Sequence, residues 1–376
     1  MRVCLVTETY FPQVNGVSRT LGQLTRVLME HGDEVQIIQP RYKTRPEHEQ
    51  TITVRAINPP FYRELYLPLP PFQAVRRGID EFKPDIVHVA TEATLGLAVL
   101  KHCQRQKLPV VSSFHTNFDQ YSDHYRVGWF GPLVWRYLRW FHNGTRQTYV
   151  PSMATISELS DRGFERLVLW PRGVDGHTFR PDRPRREAIR TALGVKPDQV
   201  LVGHVSRLAY EKNVSFLGQA LAGLESQLPD QVRVLIVGDG PARAELEQTL
   251  GPQANFVGYR TGEELADYYS ACDLFAFASL TETFGNVILE AMASGLPVVA
   301  IRKGGPGDLI QEGKNGLLVE PSEPATVMSD RLASLVVNNQ KRIFMSAQAR
   351  NFALSQSWDT IMTALRNEYA TSINAS

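Results

Sequence analysis

Two glutamates in the second half of the chain have the spacing expected of a binding site for an extended polar ligand. Glu282 and Glu290 lie in the stretch 279–295, SLTETFGNVILEAMASG, which follows the apolar run 273–278. The run predicts a buried parallel strand, and the residues from Asn286 onward predict a packed helix. Eight helical positions span about 12 Å, which is too far for two carboxyl groups to share a proton. The spacing excludes a paired-acid site and favours recognition of hydroxyl groups at the two ends of one ligand.

The start of this predicted helix is also suited to bind an anion. A strand–loop–helix arrangement leaves free backbone N–H groups and the positive end of the helix dipole at the loop. Phosphate groups would then lie between Glu282 and Glu290. The simpler alternative is that Glu282 caps the helix and Glu290 is a solvated side chain, because carboxylates are common near helix starts.

The elements that must position these residues form two successive α/β patterns. In the first, a helix is predicted over 18–31 and is preceded by Asn15-Gly16, which we expect to let the backbone turn tightly beside a ligand. His115 stands at the end of a predicted strand, where α/β sheets bind ligands, although a lone histidine there is often only a strand-end cap. The segments predicted as strands, or as the start of a strand–helix unit, are 3–7, 34–39, 85–90, 110–114 and 154–157.

The second α/β pattern begins after a segment rich in Pro, Gly, Asp and Arg, 171–186, which predicts an interdomain linker. Its predicted strands are 200–205, 232–237, 256–258, 273–278, 297–301 and 317–319. We therefore expect two doubly wound, Rossmann-like domains facing a central cleft, 1–175 and 176–357. A last helix, 358–376, is expected to pack back onto the first domain. Ligands of such folds bind at the carboxyl ends of the strands.

Composition excludes several functional classes. The formal net charge is +1, and the chain is only mildly basic before Arg180 and mildly acidic after it, which does not indicate nucleic-acid binding. Three scattered cysteines predict buried thiols rather than a metal site or disulfides. The loop after the first strand lacks the glycine patterns for dinucleotides and for ATP. The chain starts directly in a strand and has no apolar run of transmembrane length, so the expected location is cytoplasmic.

The motifs of the chain, taken in order, resemble those of the family-4 retaining glycosyltransferases of the GT-B fold. The resemblance spans essentially the whole chain and rests on VNGV before the first helix, FHTNF around His115, SRLAYEKN, VGDGP, and the spacing of Glu282 and Glu290. HTNFDQY and TETFGNVILEAMASG resemble the lipid-directed branch of the family. That branch contains α-mannosyltransferases of the phosphatidylinositol mannoside kind and glycosyl- or sulfoquinovosyl-diacylglycerol synthases.

The resemblance implies a role for each candidate residue. Glu290 would hold the ribose of the nucleotide, Glu282 the hydroxyls of the donor sugar, and His115 would lie beneath the sugar ring. The residues implied in catalysis are His115, Glu282, Arg207 and Lys212. The residues implied in donor binding are Gly16, Arg207, Lys212, Val257, Tyr259, Glu282, Phe284, Gly285, Asn286 and Glu290.

The implied reaction needs positive charge at the leaving diphosphate. Arg207 and Lys212, five positions apart at a strand-to-helix turn, are placed to flank it, and the chain has no D-x-D pair of the metal-using glycosyltransferases. We therefore expect no metal and no other cofactor. No carboxylate is placed as a nucleophile. Retention of the anomeric configuration is therefore expected through a front-face mechanism, in which the leaving phosphate oxygen takes the acceptor's proton. One departure from the family is VNGV in place of a double glycine, which leaves only Gly16 free of a side chain.

The expected function is a retaining hexosyl transfer from GDP-mannose or a UDP-hexose to a hydroxyl of a membrane glycolipid or diacylglycerol-type acceptor. The alternative is the same chemistry on a soluble sugar, sugar phosphate or polyol. A binding protein without catalysis is disfavoured by the intact set of candidate residues, and a GT-B epimerase by the lack of candidate acid and base carboxylates.

A predicted helix over 132–146 bears on the acceptor, because it is amphipathic and rich in arginine and aromatic residues. One interpretation is a helix in the membrane interface, on the inner face of the cell membrane; the other is a helix that only covers the sheet. Trp135, Arg136 and Arg139 are the predicted contacts with an anionic lipid surface. The apolar arc comprises Leu133, Val134, Tyr137, Leu138, Trp140 and Phe141, and the opposite arc Trp135, Arg136, Arg139, His142, Asn143 and Arg146.

Overall fold

A computed structural model of the chain describes residues 1–13, 15–42, 48–58, 66–115 and 131–374. The chain divides into two compact units, Met1–Pro171 with Asp359–Ser376, and Arg172–Trp358. The division between Pro171 and Arg172 falls a few residues before the one expected from the sequence. The C-terminal segment belongs to the first unit.

The first unit is built on a parallel sheet. Its strands, with a short hairpin, are β1 Arg2–Val6, β2 Glu34–Pro40, β3 Thr51–Val54, β4 Ala56–Ile57, β5 Leu67–Pro68, β6 Ile86–Val89, β7 Val110–Ser113, β8 Thr148–Val150 and β9 Leu167–Leu169. The order in the sheet is β3-β2-β1-β6-β7-β8-β9, while β4 and β5 pair antiparallel. The chain leaves β1 toward one edge and returns at β6 on the other side of β1, so the sheet is doubly wound.

The second unit repeats this plan. Its strands are β10 Val200–Val205, β11 Val232–Val237, β12 Ala254–Gly258, β13 Leu274–Phe277, β14 Val298–Ile301 and β15 Gly316–Val319. They form a parallel sheet in the order β12-β11-β10-β13-β14-β15. The bounds of β10 and β11 are those predicted, because both strands are rich in valine and other aliphatic residues and lie inside the sheet.

Helices connect the strands in both units. They are α1 Gly16–Glu30, α2 Gln73–Phe82, α3 Thr94–Gln106, α4 Gly131–Asn143, α5 Met153–Asp161, α6 Arg186–Ala192, α7 Val214–Gln227, α8 Arg243–Leu250, α9 Gly262–Ala271, α10 Asn286–Ala293, α11 Gly305–Leu309, α12 Ala325–Val337, α13 Asn339–Ser355 and α14 Trp358–Asn374. Among the residues that the structure describes, no helix is both long and apolar enough to cross a membrane.

One sequence prediction of local structure was wrong, and one segment is more ordered than expected. Residues 154–157 lie inside α5, because the Ser152 side chain accepts the Thr155 N–H at 3.2 Å and starts a helix there; the strand is the preceding β8. The predicted linker is partly packed, since Arg183 pairs with Asp267 at 2.5 Å and Arg186 pairs with Asp273 at 2.6 Å.

The start of α1 also differs from the expected tight glycine turn. Asn15 is extended and caps the helix by accepting the N–H of Ser18 at 2.9 Å. Gly16 is the first helical residue, and no described atom lies within 4 Å of the position that a Cβ would occupy. Nothing in the described part of the fold requires glycine at position 16. Its bare Cα leaves room for a ligand to approach the helix start.

Helix α14 packs on the first unit through several polar contacts. Arg366 donates to both carboxylate oxygens of Asp33, at 2.6 and 3.0 Å, and Arg26 pairs with Asp359 at 2.5 Å. Tyr369 is fully buried. The last helix is thereby part of the core of the first unit.

Candidate active site

The loops after β10 and β13 open at the same edge of the second sheet. These strands are neighbours, but the chain leaves β10 toward β11 and reaches β13 only after crossing to the other side. This is the topological switch point at which open α/β sheets bind ligands. The loop after β10 carries Arg207 and Lys212, and the loop after β13 carries Glu282.

The glycines of VGDGP support the loop after β10. The N–H of Leu208 donates to the Asp239 carbonyl at 2.9 Å, and the two loops lie so close that a Cβ at Gly238 would meet the Ser206 carbonyl oxygen at 1.8 Å. A Cβ at Gly240 would meet the Leu208 carbonyl oxygen at 2.3 Å. This motif therefore holds the backbone of the arginine-bearing loop.

Arg207 projects into solvent from this supported loop. Its side chain is 68% exposed and is ion-paired with Glu211. A guanidinium has five N–H donors, and the pairing with Glu211 uses only part of them. A diphosphate in the crevice can compete for those donors.

Lys212 and Glu282 join the two loops. Lys212 lies in the 3₁₀ turn Tyr210–Lys212, and its Nζ is 2.5 Å from Glu282 Oε1, with both side chains largely shielded from water. The hydroxyl of Thr281 adds a second link by donating to the Glu211 carbonyl at 3.2 Å. No sequence pattern indicated this ion pair, since Lys212 and Glu282 were each assigned a separate part of the ligand. An ammonium group has three donors, so Lys212 can hold Glu282 and a phosphate together.

Two glycines hold the loop that carries Glu282. The N–H of Gly305 donates to the Glu282 carbonyl at 3.0 Å, and a Cβ at Gly304 would meet that oxygen at 2.2 Å. A Cβ at Gly305 would meet the Phe284 carbonyl oxygen at 2.0 Å. Gly285, the residue after Phe284, has φ +96°, a left-handed conformation that favours glycine. It directs the chain into α10. The helix start has no side-chain cap, so Glu282 does not cap it.

Glu290 is buried on the second turn of α10. It is 6% exposed, and the Tyr269 hydroxyl lies 3.4 Å from its Oε2 and 3.2 Å from the Val287 carbonyl. The alternative of a solvated Glu290 is thereby excluded. A carboxylate held in this way keeps a fixed orientation, as the recognition of paired hydroxyls requires.

The remaining candidate donor contacts of this unit lie around the same crevice and along the sheet edge. Phe284 is buried, and the Asn286 Oδ1 is buried without a hydrogen-bond partner among the residues that the structure describes. Val257 is half-buried in β12, and Tyr259 is exposed just beyond it. Strand β12 is separated from β10 by β11, so the latter two residues do not belong to the switch point itself.

In the first unit, His115 follows β7 and is held by its neighbours. Its Nε2 lies 2.7 Å from the Ser113 hydroxyl, and its ring packs edge-on against Trp170 at 5.6 Å between ring centroids. These two contacts hold the imidazole ring in one orientation. Val14 of VNGV and the 116–121 part of HTNFDQY lie outside the described residues.

Two buried glutamates lie at the switch point of the first sheet and were not found from the sequence. Glu8 follows β1, and its Oε1 accepts the Leu95 N–H at the start of α3 at 3.0 Å. Glu92 follows β6; its carbonyl accepts the Tyr137 hydroxyl, while its Oε1 has no partner within the described parts of the chain. Burial raises the pKa of Glu8 to about 6, and burial with the nearby Glu8 raises that of Glu92 to about 8. The available signal was a carboxylate just past each of two predicted strands.

The three residues of α4 predicted to contact lipid, Trp135, Arg136 and Arg139, differ in their exposure to solvent. Trp135 stacks near Phe114 at 6.5 Å and packs edge-on to Phe164 at 6.2 Å, with the Arg162 guanidinium 4.0 Å above its ring. Trp135 is half-buried and its ring packs onto a core cluster, so its contact with headgroups stays a prediction. Arg136 and Arg139 are exposed as predicted.

The predicted apolar arc of α4 is also divided. Leu138 and Phe141 are buried, whereas Leu133 is 61% and Trp140 50% exposed. At 100° per residue, Leu133 and Trp140 share the outer face with Arg136 and Arg139. The outward face of α4 is therefore both basic and apolar, a pattern found in helices that lie in a lipid interface.

Two protein-family descriptions match the chain, one over each part. "Glycosyltransferase Family 4" matches residues 14–177, and "Glycosyl transferases group 1" matches residues 185–352. The two matched segments together contain every candidate residue of the site.

Similar proteins of known activity extend over most of the chain. A GDP-mannose-dependent alpha-mannosyltransferase of Mycobacterium tuberculosis is 36% identical, covering 98% of this chain and 96% of that protein. A sulfoquinovosyl transferase of Arabidopsis thaliana is 33% identical, covering 98% and 73%. An alpha-monoglucosyldiacylglycerol synthase of Streptococcus pneumoniae is 31% identical, covering 80% and 71%.

Solved structures share the fold. Sucrose-phosphate synthase from Thermosynechococcus elongatus superposes with a TM-score of 0.78 at 22% identity, over the full length of both chains. The Anabaena protein HepE, in complex with UDP-glucose, gives a TM-score of 0.75 at 22% identity, over 99% of this chain and all of that one.

Proposed function

Since the chain belongs to the family 4 glycosyltransferases, which have the GT-B fold, we propose that it is a retaining hexosyltransferase acting on a membrane lipid. The donor is a nucleoside-diphosphate sugar, GDP-mannose or a UDP-hexose. The acceptor is a hydroxyl of a glycolipid or of a diacylglycerol-type lipid. The observation that carries the proposal is the Lys212–Glu282 pair beside Arg207 at the switch point of the second unit.

In this proposal each charged group has a part in binding the donor. The diphosphate lies against Arg207, Lys212 and the free N–H groups at the start of α10. The buried carboxylate of Glu290 accepts from the ribose hydroxyls. Glu282, held by Lys212, accepts from the hydroxyls of the sugar. The bare Cα of Gly16 supplies a surface without a side chain in the first unit.

The transfer step follows from this charge distribution. The bond between the anomeric carbon and the phosphate oxygen breaks, and a bond to the acceptor oxygen forms on the same face of the sugar. The acceptor's proton passes to the departing phosphate oxygen. Arg207 and Lys212 stabilise the negative charge that grows on the diphosphate, so we propose that the reaction needs no metal. His115 lies beneath the ring and stabilises the positive charge that develops there.

The lipid acceptor is supported by the outer face of α4. Exposed Leu133 and Trp140 beside Arg136 and Arg139 suit contact with an anionic bilayer, in which basic residues meet headgroups and apolar ones enter the interface. We infer that the protein binds peripherally to the inner face of the cell membrane. The names of the diacylglycerol synthase and the sulfoquinovosyl transferase relatives are in line with an acceptor in the membrane.

A transfer assay tests this function. Purified protein is incubated with GDP-mannose, UDP-glucose or UDP-sulfoquinovose and with detergent-solubilised diacylglycerol and glycolipids, or with free sugars, sugar phosphates and polyols. We expect transfer to lipid, with the anomeric configuration retained and the rate unchanged by EDTA. Transfer only to soluble acceptors would replace the lipid with the soluble alternative, and an absolute need for added manganese or magnesium would refute the metal-free step.

The donor can be identified independently of transfer. A bound nucleotide sugar stabilises the folded state by mass action, so a thermal-shift screen ranks donors without any acceptor. We expect one nucleotide base to raise the melting temperature more than the other. No shift with any nucleotide sugar would contradict the proposed donor site.

A further inference from the structure

A chain of hydrogen bonds runs from the last helix of the protein to His115. The Tyr369 hydroxyl on α14 is 2.5 Å from His88 Nδ1, and His88 Nε2 is 2.9 Å from the Ser113 hydroxyl. The Ser113 hydroxyl is 2.7 Å from His115 Nε2. The chain thus crosses from α14 through β6 to the end of β7.

The inner members of this chain are shielded from water. Tyr369, His88 and Ser113 are fully buried. Aromatic rings surround His88, with those of Tyr149, Trp170 and Tyr369 at 5.8, 5.7 and 5.8 Å between centroids. Hydrogen bonds are strong in such a dry environment, and a donor left without an acceptor is costly.

The directions of the hydrogen bonds follow from the Tyr369 hydroxyl. Burial raises its pKa well above the ordinary value, so the phenol keeps its proton. Within the described residues it has no acceptor other than His88 Nδ1, and it must donate there. His88 then carries its proton on Nε2 and donates to Ser113. The Ser113 hydroxyl in turn donates to His115 Nε2, which places the His115 proton on Nδ1.

The opposite set of hydrogen-bond directions would leave one buried donor without an acceptor. If His115 donated to Ser113 and Ser113 donated to His88, His88 Nδ1–H would donate to the Tyr369 oxygen. The tyrosine proton would then be buried without an acceptor among the described residues, at a cost typical of an unmade hydrogen bond.

We propose that Tyr369, acting through His88 and Ser113, fixes His115 in its Nδ1–H tautomer and in one ring orientation, and so makes the last helix a positioning element of the active site. The effect on catalysis rests on the proposed function, in which His115 lies beneath the transferred sugar. The tautomer itself does not depend on that function. Tyr369, His88 and Ser113 are positioning residues because they act through His115.

The anchoring of α14 suits this role. Arg366 is bonded to Asp33 on one side of Tyr369, and the Ser372 carbonyl accepts from Arg146 on the other. The helix is therefore tied to the first unit less than one turn before and after the tyrosine. A hydroxyl held in this way keeps a constant position relative to His88.

The direct test is the protonation pattern of His115. Long-range proton–nitrogen NMR spectra of protein labelled with ¹⁵N-histidine distinguish protonated from unprotonated ring nitrogens, and a His115→Gln variant assigns the signals. We expect wild-type His115 to be protonated on Nδ1, and Tyr369→Phe to shift the signals of both His88 and His115. Tyr149→Phe is the matched control, since that hydroxyl bonds to Gln147 in the same aromatic cluster and lies outside the chain.

Kinetics with the identified donor and acceptor give the second readout. We expect Tyr369→Phe to lower kcat roughly tenfold with KM for the nucleotide sugar unchanged, because in the proposed mechanism His115 stabilises charge that develops only in the transition state. Ser113→Ala removes the last link and should have the same effect. Ser112→Ala is its control, since the Ser112 hydroxyl bonds to His142, Thr145 and Thr148.

The outcomes separate the two proposals. A wild-type protein that transfers no sugar would reject the proposed function, while its NMR spectra still decide the tautomer. His115 protonated on Nε2, or His115 signals that are the same in Tyr369→Phe and wild type, would overturn the hydrogen-bond chain. If Tyr369→Phe does not fold, Ser113→Ala decides, and unchanged His115 signals in that variant would be equally decisive against it.

Discussion

The side chains around the second-unit crevice differ in what they contribute to binding and to turnover. Glu290 is buried and oriented by Tyr269, whereas Glu282 is paired with Lys212 across the crevice. A buried, fixed carboxylate suits ground-state recognition of ribose. A carboxylate that shares a lysine with the departing phosphate is suited to act as the glycosidic bond breaks.

We predict that Glu290→Ala weakens binding of the bare nucleoside diphosphate by about 1.5–3 kcal/mol, because the ribose hydroxyls lose a charged acceptor. Glu290→Gln keeps the size of the side chain and should give a smaller loss in the same direction. Isothermal titration calorimetry measures both, with the exposed Glu245→Ala as control. Unchanged affinity in the alanine variant would reject the ribose role.

Glu282→Ala should have the opposite profile. We expect the affinity for nucleoside diphosphate to stay nearly constant while turnover collapses, since in the proposed site Glu282 contacts the sugar and sets the position of Lys212. Lys212→Ala should lower turnover as well. The loss of activation free energy in the double variant of Lys212 and Glu282 should be smaller than the sum of the two single losses, because the two residues form one ion pair. Equal losses of nucleotide affinity in Glu282→Ala and Glu290→Ala would show that the two ends of the donor are reversed.

We expect Glu92 to make the stability of the first unit sensitive to pH. The residue is 8% exposed, and its pKa is about 8 in the fold against 4.5 for an ordinary glutamate, mainly through burial. The folded state therefore binds more protons than the unfolded state between these values. The contribution of Glu92 to the free energy of unfolding is therefore fully present below pH 4.5 and is lost as the pH rises toward 8. The loss is on the order of a few kcal/mol.

The measurement is the melting temperature of wild type and Glu92→Gln from pH 5 to pH 8.5. We predict that the wild-type temperature falls over this range and that glutamine, which is neutral at every pH, removes most of the fall. Glu81→Gln, an exposed carboxylate on α2, should leave the profile unchanged. A variant profile parallel to that of wild type would show that Glu92 is not the titrating group.

At the scale of elements, α4 combines a core function and a surface function. Leu138 and Phe141 pack inside, and Tyr137 donates to the Glu92 carbonyl, so the helix covers the switch point of the first sheet. The outer face presents Leu133, Trp140 and two arginines. One helix thus stabilises the unit and, in the proposed function, supplies its lipid-binding face.

We predict that replacing both Leu133 and Trp140 with Ser abolishes most binding to anionic vesicles, while Arg136→Ser with Arg139→Ser mainly reduces its salt-sensitive part, about 1 kcal/mol per arginine. Co-sedimentation with vesicles of phosphatidylglycerol and phosphatidylcholine at several salt concentrations measures this. Phe344→Ser, which removes an exposed aromatic residue of α13, is the control. If the wild-type protein does not bind anionic vesicles at low salt, the main physical argument for a lipid acceptor is refuted.

At the scale of the whole molecule, the last helix links the end of the chain to its beginning. Asp33 is buried, which alone would raise its pKa, but the hydrogen bonds and charge of Arg366 hold the pKa of that carboxyl below its usual range. A depressed pKa means that the stabilisation is present above about pH 4 and is lost as the pH falls through the folded value.

We therefore predict that Asp33→Asn lowers the free energy of unfolding by about 1.5–3 kcal/mol at neutral pH, the value typical of hydrogen bonds to charged groups. Urea unfolding at pH 7 and at pH 3 measures the difference between variant and wild type. We expect that difference to shrink at pH 3, where the wild-type carboxyl begins to take up a proton. Asp359→Asn, whose partner Arg26 is exposed, should cost less than 1 kcal/mol. An Asp33→Asn difference that is equal at both pH values would contradict the ion-pair account.

The sequence by itself determined the two doubly wound units and most of their strands. Runs such as 200–205 and 232–237 indicate buried strands, because they are short, rich in valine and other aliphatic residues, and bounded by turn residues. It also placed Arg207, Lys212, Glu282 and His115 at strand ends, where this class of fold binds ligands. These features are local, so neighbouring residues were enough to specify them.

Only the tertiary structure decided which of these residues meet and which face inward. The Lys212–Glu282 pair joins residues 70 positions apart, and the Tyr369–His88 contact joins residues 281 positions apart. Helix α4 has aromatic residues on both sides, so its periodicity could not show that Trp135 packs inward while Trp140 points outward. Burial and partner choice depend on how distant elements pack together, and no local pattern contains that information.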